Sequence, residues 1–185
     1  QDFAGLGGDV KYVSSEIEGH WYHGFRKDMI LHVSGTAGSI IPWRGDAIRI
    51  NDRFFKGGDT MRGFEYAGMG PRDTSTGYAL GGQTYGIMST ELGIPNGLPD
   101  QYGLKTALFV DLGTLGGVDD RLKVNTTTGA ALPNIVDDMS LRASAGITIR
   151  WKSPMGPVQF DLSQVLSKES YDKVESFRFS QSTQF

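Results

Sequence analysis

The sequence contains no cysteine. That excludes disulfides, a thiol nucleophile and thiolate-bound metal. It has no run of about 18 apolar residues, so no helix of it can cross a bilayer. The 18 basic and 21 acidic residues give a formal net charge of −3 and form no basic block, so nucleic acid is not an expected partner. No HExxH, P-loop or serine-elbow pattern occurs. The chain is therefore expected not to be an enzyme, with no catalytic residue, no cofactor and no metal. It opens Gln1-Asp2-Phe3, with neither a Met nor a secretory leader pattern. The expectation is a piece processed or cut from something longer. What the sequence does have is glycine, 26 of 185 residues, and aromatics at 11%. That glycine share is about twice the usual one. Glycine and aromatics with few charges argue for strands and turns.

The informative signal is alternation with period two. From Leu141 to Lys152, Leu141, Ala143, Ala145, Ile147, Ile149 and Trp151 fall on one face, while Arg142, Ser144, Gly146, Thr148, Arg150 and Lys152 fall on the other. Three cations on one strand face need water. The pattern recurs over Val10–Trp21, Met29–Gly38, Thr84–Leu92, Gly103–Asp111, Val158–Ser163 and Ser176–Phe185, making seven strands. Most approach the length of about 9–11 residues that crosses a bilayer at a tilt. Short connections (24–28, 93–101, 153–157) alternate with longer ones (40–82, 113–139, 167–175). An outer-membrane barrel has short periplasmic turns and longer outer loops. The fold class expected is all-β, an antiparallel transmembrane barrel, with a soluble β-sandwich carrying one wet face as the alternative. In the barrel, Trp21, Val33, Leu108, Ile147, Ile149, Phe160 and Phe179 face lipid. Single-chain bacterial barrels have even strand numbers, and an open sheet in lipid leaves unpaired edges. The chain is therefore expected to be part of a larger barrel, or to pair its edges with another chain.

The connection 40–82 is unusually long for a segment without its own periodicity. It holds Phe54-Phe55-Lys56-Gly57-Gly58-Asp59-Thr60-Met61-Arg62-Gly63-Phe64. Paired glycines permit a tight turn. An Arg followed by Gly and an aromatic makes a compact anchor whose fork suits carboxylates. The plain alternative is a mobile surface loop. Arg44-Gly45-Asp46 spells an adhesion tripeptide and Asn125-Thr126-Thr127 a glycosylation sequon; both read equally as ordinary loop sequence. His20, His23 and His32 lack the spacing of a metal site. Glu16 and Glu18 share a strand face, as a glycosidase pair could, but lumenal carboxylates are common in water-filled barrels.

Gly57 to Phe64 resembles the loop-six signature of the outer-membrane protein assembly factor family, the BamA family, which has relatives in two-partner secretion and in mitochondria. Ser89-Thr90-Glu91-Leu92 with Pro95, and Phe109-Val110-Asp111-Leu112-Gly113, resemble the family's next two strands. Ala143 to Trp151, then Ser153-Pro154-Met155-Gly156-Pro157 and Phe160-Asp161-Leu162, resemble its penultimate hairpin. Phe177-Arg178-Phe179 with terminal Phe185 resembles its closing strand. The resemblance covers nearly all of residues 1–185. It implies about seven C-terminal strands of a sixteen-stranded barrel, with the first strands and the periplasmic POTRA domains lying elsewhere in the parent chain. It further implies that loop 40–82 folds back into the lumen, where Arg62, with Gly63 and Phe64, meets Glu91 and Asp111. The closing strand, with Phe177, Phe179, Ser180, Ser182 and Phe185, becomes a lateral seam. The family's best-known members carry a Gly where this sequence has Ser182, which makes an inward kink there less expected.

The implied function is folding and insertion of β-barrel proteins into the bacterial outer membrane by strand pairing at that seam. The implied partners are unfolded outer-membrane proteins, the remaining barrel strands and POTRA domains, accessory lipoproteins and the lipid bilayer. The alternatives are a two-partner secretion transporter or passive pore of the same superfamily, and a soluble lipocalin-like binder.

Overall fold

A computed structural model describes residues 2–4, 12–27, 29–43, 47–118, 123, 132, 134–154 and 156–181. Ten strands follow in order: β1 (Asp2–Ala4), β2 (Tyr12–Arg26), β3 (Met29–Pro42), β4 (Arg72–Asp73), β5 (Thr84–Ile94), β6 (Leu104–Gly116), β7 (Ile135–Val136), β8 (Arg142–Ser153), β9 (Gly156–Ser167) and β10 (Phe177–Gln181). Eight of them form one antiparallel sheet in the order β1-β2-β3-β5-β6-β8-β9-β10, while β4 and β7 pair separately. The sheet is a meander, a wall segment of a β-barrel. Six of its strands are 11 to 15 residues long. That is enough to cross a hydrocarbon core at a barrel tilt.

The register divides the side chains. Trp21 lies opposite Val33, Val33 opposite Thr90, Thr90 opposite Val110, and Val110 opposite Ala145. Further along, Leu108 lies opposite Ile147, Ile147 opposite Leu162, and Leu162 opposite Phe177. Directly opposed residues share a face, so these side chains, apolar apart from Thr90, form one continuous outer face. It is open: Ile17 is 73% exposed, Trp21 55% and Phe179 53%. A sandwich would bury this face against a second sheet. Here the packed cluster lies on the opposite, inner face, where Met61, Phe64 and Met69 of the long loop meet Tyr85, Ile87 and Leu115, flanked by Phe54 and Val165.

The seven expected strands are present, with one addition to the sheet and two corrections. The sheet holds an eighth strand, because Asp2–Ala4 pairs with Tyr12–Ser14 and covers that part of the β2 edge; three residues are too short to show a period. Next, β6 does not stop at Asp111 but runs to Gly116, so Asp111 sits inside a strand, as Glu91 does in β5. Gly113 reads as a stop, yet a Cβ there would lie 2.7 Å from the Met61 sulfur. The glycine makes room for the loop to close on the strand. Finally, the connection 40–82 is not structureless. Its first residues complete β3, and the rest is held by bridges between Phe54 and Gly82, Lys56 and Met69, and Arg72 and Ala79, and by β4 on β7. No helical or strand period announces it, because its order comes from packing on the sheet.

Candidate functional site: an arginine-anchored loop beside an edge strand

Gly57 begins the turn that delivers Arg62. Its φ is 124°, and a Cβ there would lie 2.1 Å from the Glu65 carbonyl oxygen. Only glycine fits. The Gly58 amide donates to the Phe64 carbonyl at 2.8 Å, and the Gly57 amide donates to the Thr60 hydroxyl at 3.0 Å. Gly63 has φ 91° and brings the backbone down onto β8 and β9, where its Cβ would lie 3.0 Å from Ser144 Cβ and 3.1 Å from Val165 Cγ2. Phe64 next to it is fully buried in the cluster.

Between those two contacts the Arg62 side chain reaches across three strands. Nε donates to Asp111 Oδ2 at 2.8 Å and Nη2 to Asp111 Oδ1 at 2.8 Å. Nη2 also donates to Ser89 Oγ at 2.9 Å. Nη1 donates to Glu91 Oε2 and to Thr148 Oγ1, both at 3.0 Å. All five guanidinium N–H groups thus have acceptors. The Arg62 backbone joins in: its N–H donates to Asp111 Oδ2 at 3.2 Å, and its carbonyl accepts from Ser144 Oγ at 2.5 Å. The guanidinium lies 3.7 Å above the Phe109 ring centre. Burial works against the Arg62 charge, but the hydrogen bonds and charge of Asp111, and then those of Glu91, outweigh it and hold its pKa above the ordinary arginine value. A buried ion pair is tolerable when its remaining donors are met, and costly once one partner is removed.

The network extends further than the three charged residues that the sequence points to. Arg150 also grips Glu91, with Nη2 at 2.8 Å from Oε2. The Thr148 hydroxyl in turn donates to Asp161 Oδ1 at 2.6 Å, and the Ser89 hydroxyl to Asp111 Oδ1 at 2.6 Å. Alternation alone places Ser89, Ser144, Thr148, Arg150 and Asp161 on the polar face. Which of them meet follows from register, with Ser89 opposite Asp111, Asp111 opposite Ser144, and Thr148 opposite Asp161.

A second buried arginine holds the next connection. Arg142 Nε donates to Asp172 Oδ2 at 3.0 Å, and Nη1 donates to the Asp138 carbonyl at 2.9 Å. Tyr171 beside it accepts from Nη2 at 3.3 Å. Burial pushes the Tyr171 hydroxyl up to about 12, with the Arg142 charge opposing and Asp138 adding. The segment so held also pairs with the long loop. Glu65 N–H donates to the Lys173 carbonyl at 3.1 Å, Lys173 N–H to the Gly68 carbonyl at 2.9 Å, and Glu175 N–H to the Gly63 carbonyl at 2.9 Å. The loop is thereby tied to the neck that leads directly into β10.

Strand β10 ends the sheet. Phe177 lies opposite Leu162 and Phe179 opposite Phe160, with both phenylalanines exposed on the outer face. Arg178 and Ser180 turn to the inner face. Ser182 and Phe185 lie outside the described residues, as do the Arg44-Gly45-Asp46 and Asn125-Thr126-Thr127 motifs. The histidines divide between faces: His20 and His32 meet on the inner face at 3.1 Å, whereas His23 stacks on Trp21, its outer-face neighbour. Glu16 accepts from the Tyr85 hydroxyl at 2.6 Å, and Glu18 accepts from His20 at 2.9 Å. The two carboxylates have separate partners.

An apolar outer face, a polar inner face and a loop pinned to the inner wall define part of a membrane β-barrel. Residues 1–185 match the Omp85 superfamily domain. The chain is 36% identical over 178 residues to the outer membrane protein assembly factor BamA of Neorickettsia risticii, covering 96% of this chain and 22% of that protein. It is 27% identical over 197 residues to BamA of Neisseria meningitidis serogroup B, covering 97% and 24%. It is 30% identical over 159 residues to sorting and assembly machinery component 50 homolog A of Xenopus laevis, covering 81% and 32%. The crystal structure of BamA from Haemophilus ducreyi lacking POTRA domains 1–3 superposes with a TM-score of 0.80 at 25% identity, covering 96% of this chain and 36% of that one. The chain belongs to the Omp85 superfamily. It spans about a fifth to a third of the length of these curated relatives.

Proposed function

We propose that this chain is a wall segment of an outer-membrane protein assembly factor, and that it works by offering the β10 edge to incoming strands. The observation that carries this reading is the placement of β10: it ends the sheet, next to the neck that the arginine-anchored loop grips. A strand in lipid needs all its backbone groups paired. An edge strand supplies a row of such groups and templates its neighbour. The free energy comes from strand pairing and from burying the client's apolar face in lipid, so no residue is assigned a catalytic role. The partners on this reading are unfolded outer-membrane proteins, the other barrel strands and POTRA domains of the parent chain, and accessory lipoproteins. The setting is the bacterial outer membrane, with the outer face against lipid. Arg62, Gly63, Phe64, Glu91 and Asp111 then form the anchor that keeps the loop seated while the seam works.

The test is crosslinking in the full-length parent protein from a photoreactive residue at Ser180. Capture of folding barrel clients at that site, and not from a control at Ile17 in β2, is the expected result. Equal capture at both sites, or none at Ser180, contradicts the seam.

A further inference from the structure

We propose that Asp59 at the tip of the loop and Arg178 of β10 form a latch that sets the register of the closing strand. They would be positioning residues for strand pairing, an inference that rests on the seam reading of β10.

The guanidinium of Arg178 lies against Gly58. A Cβ at Gly58 would be 3.1 Å from Nη2, 3.3 Å from Cζ and 3.4 Å from Nη1, so the missing side chain leaves room for a flat stack. Nη2 donates to Glu175 Oε2 at 2.6 Å, and Nη1 lies 3.7 Å from Asp59 Oδ1. The Ser180 hydroxyl is 3.2 Å from the same Asp59 oxygen. The backbone of Glu175 is bonded to Gly63. The loop therefore touches the neck of β10 and then the next two inner-face positions along it, Arg178 and Ser180.

This arrangement answers a problem that the outer face cannot solve. A slip of one residue would turn every side chain of β10 to the wrong face. A slip of two residues preserves polarity. It would move Phe179 from Phe160 to Leu162, one large apolar neighbour for another, so packing against lipid barely distinguishes the two registers. The inner face does distinguish them. Arg178 stacks on Gly58 and Ser180 reaches Asp59, and a two-residue slip would put Ser180 in the place of Arg178 and carry Arg178 off Gly58. An incoming strand inherits whatever register β10 holds, so the latch would fix the alignment of the client as well. Asp59 is 77% exposed. Replacing it disturbs no packed core.

The experiment uses the full-length parent protein with cysteine pairs that report register by oxidative crosslinking. Positions 160 and 179 report the register seen here, and positions 162 and 179 report a two-residue slip. The first product should exceed the second at least about tenfold. Asp59→Ala, and separately Arg178→Ala, should raise the slipped product at least threefold, while Asp59→Glu keeps it low. Loop protection against trypsin should stay unchanged in the Asp59 variants. An unchanged ratio in both alanine variants overturns the latch. So does a shifted ratio with matching loss of loop protection, because register would then follow the Arg62 anchor. The assay needs no client. A shifted register with no client capture at Ser180 would sink the seam reading and leave the latch standing.

Discussion

Two stretches of the inner face carry similar side chains and fare differently. On β6, β8 and β9, Asp111, Ser144, Thr148 and Asp161 are buried. On β2, Glu16, Glu18, His20 and Tyr22 face the same way and are exposed. Alternation is equally clear in both, so it does not decide the outcome. The loop does. It lies over β5, β6, β8 and β9, and there it turns a wet wall into an interior in which Arg62 pairs with Asp111 and Glu91, and Arg142 with Asp172. Along β2 the polar groups stay open to water. A barrel wall of this kind has no fixed interior until a loop supplies one.

The sharpest way to break this comparison is to remove the guanidinium that the loop brings. Arg62→Ala leaves Asp111 and Glu91 facing each other without their shared cation, and should cost about 3–5 kcal/mol. Arg62→Lys keeps the charge but loses the fork, so it should cost clearly less. Denaturant unfolding of the full-length protein, with trypsin sensitivity of the loop, checks both. A somewhat smaller effect is expected on the other side of the wall. Ile147→Arg places a cation on the outer face and should cost about 2–4 kcal/mol in a bilayer if it sits near the midplane. Unfolding in lipid vesicles measures it, and no loss there would contradict the assignment of that face. The smallest effect belongs to the uncovered stretch. Glu18→Gln and His20→Ala should each change stability by no more than about 0.5 kcal/mol, by the same unfolding assay.

The parts of this fold that a sequence shows are those governed by period. The run from Leu141 to Trp151 displays its apolar face residue by residue, and β8 follows it closely. The anchor was visible for another reason: Arg62-Gly63-Phe64 and the two carboxylates carry a family resemblance. What stayed hidden depends on register or on contacts between distant segments. Thr148 and Ser89 look like any small polar residues on a wet strand until pairing sets them under Arg62. Gly113 looks like a strand end, and its real task is to admit Met61. Asp59 and Arg178 lie on different elements, and no local pattern joins them. Strands of two or three residues, such as β1, β4 and β7, are too short to carry a period at all.

The loop is held by the Arg62 guanidinium, which pairs through two nitrogens with the β6 carboxylate Asp111. A double-mutant cycle on the full-length protein tests it most directly, with Arg62→Ala, Asp111→Asn and the pair measured by denaturant unfolding. Groups joined in one network should couple by about 1.5–3 kcal/mol, so the pair should cost far less than the sum of the singles. Additivity to within about 0.5 kcal/mol would show that the two residues act independently, and would contradict the anchor.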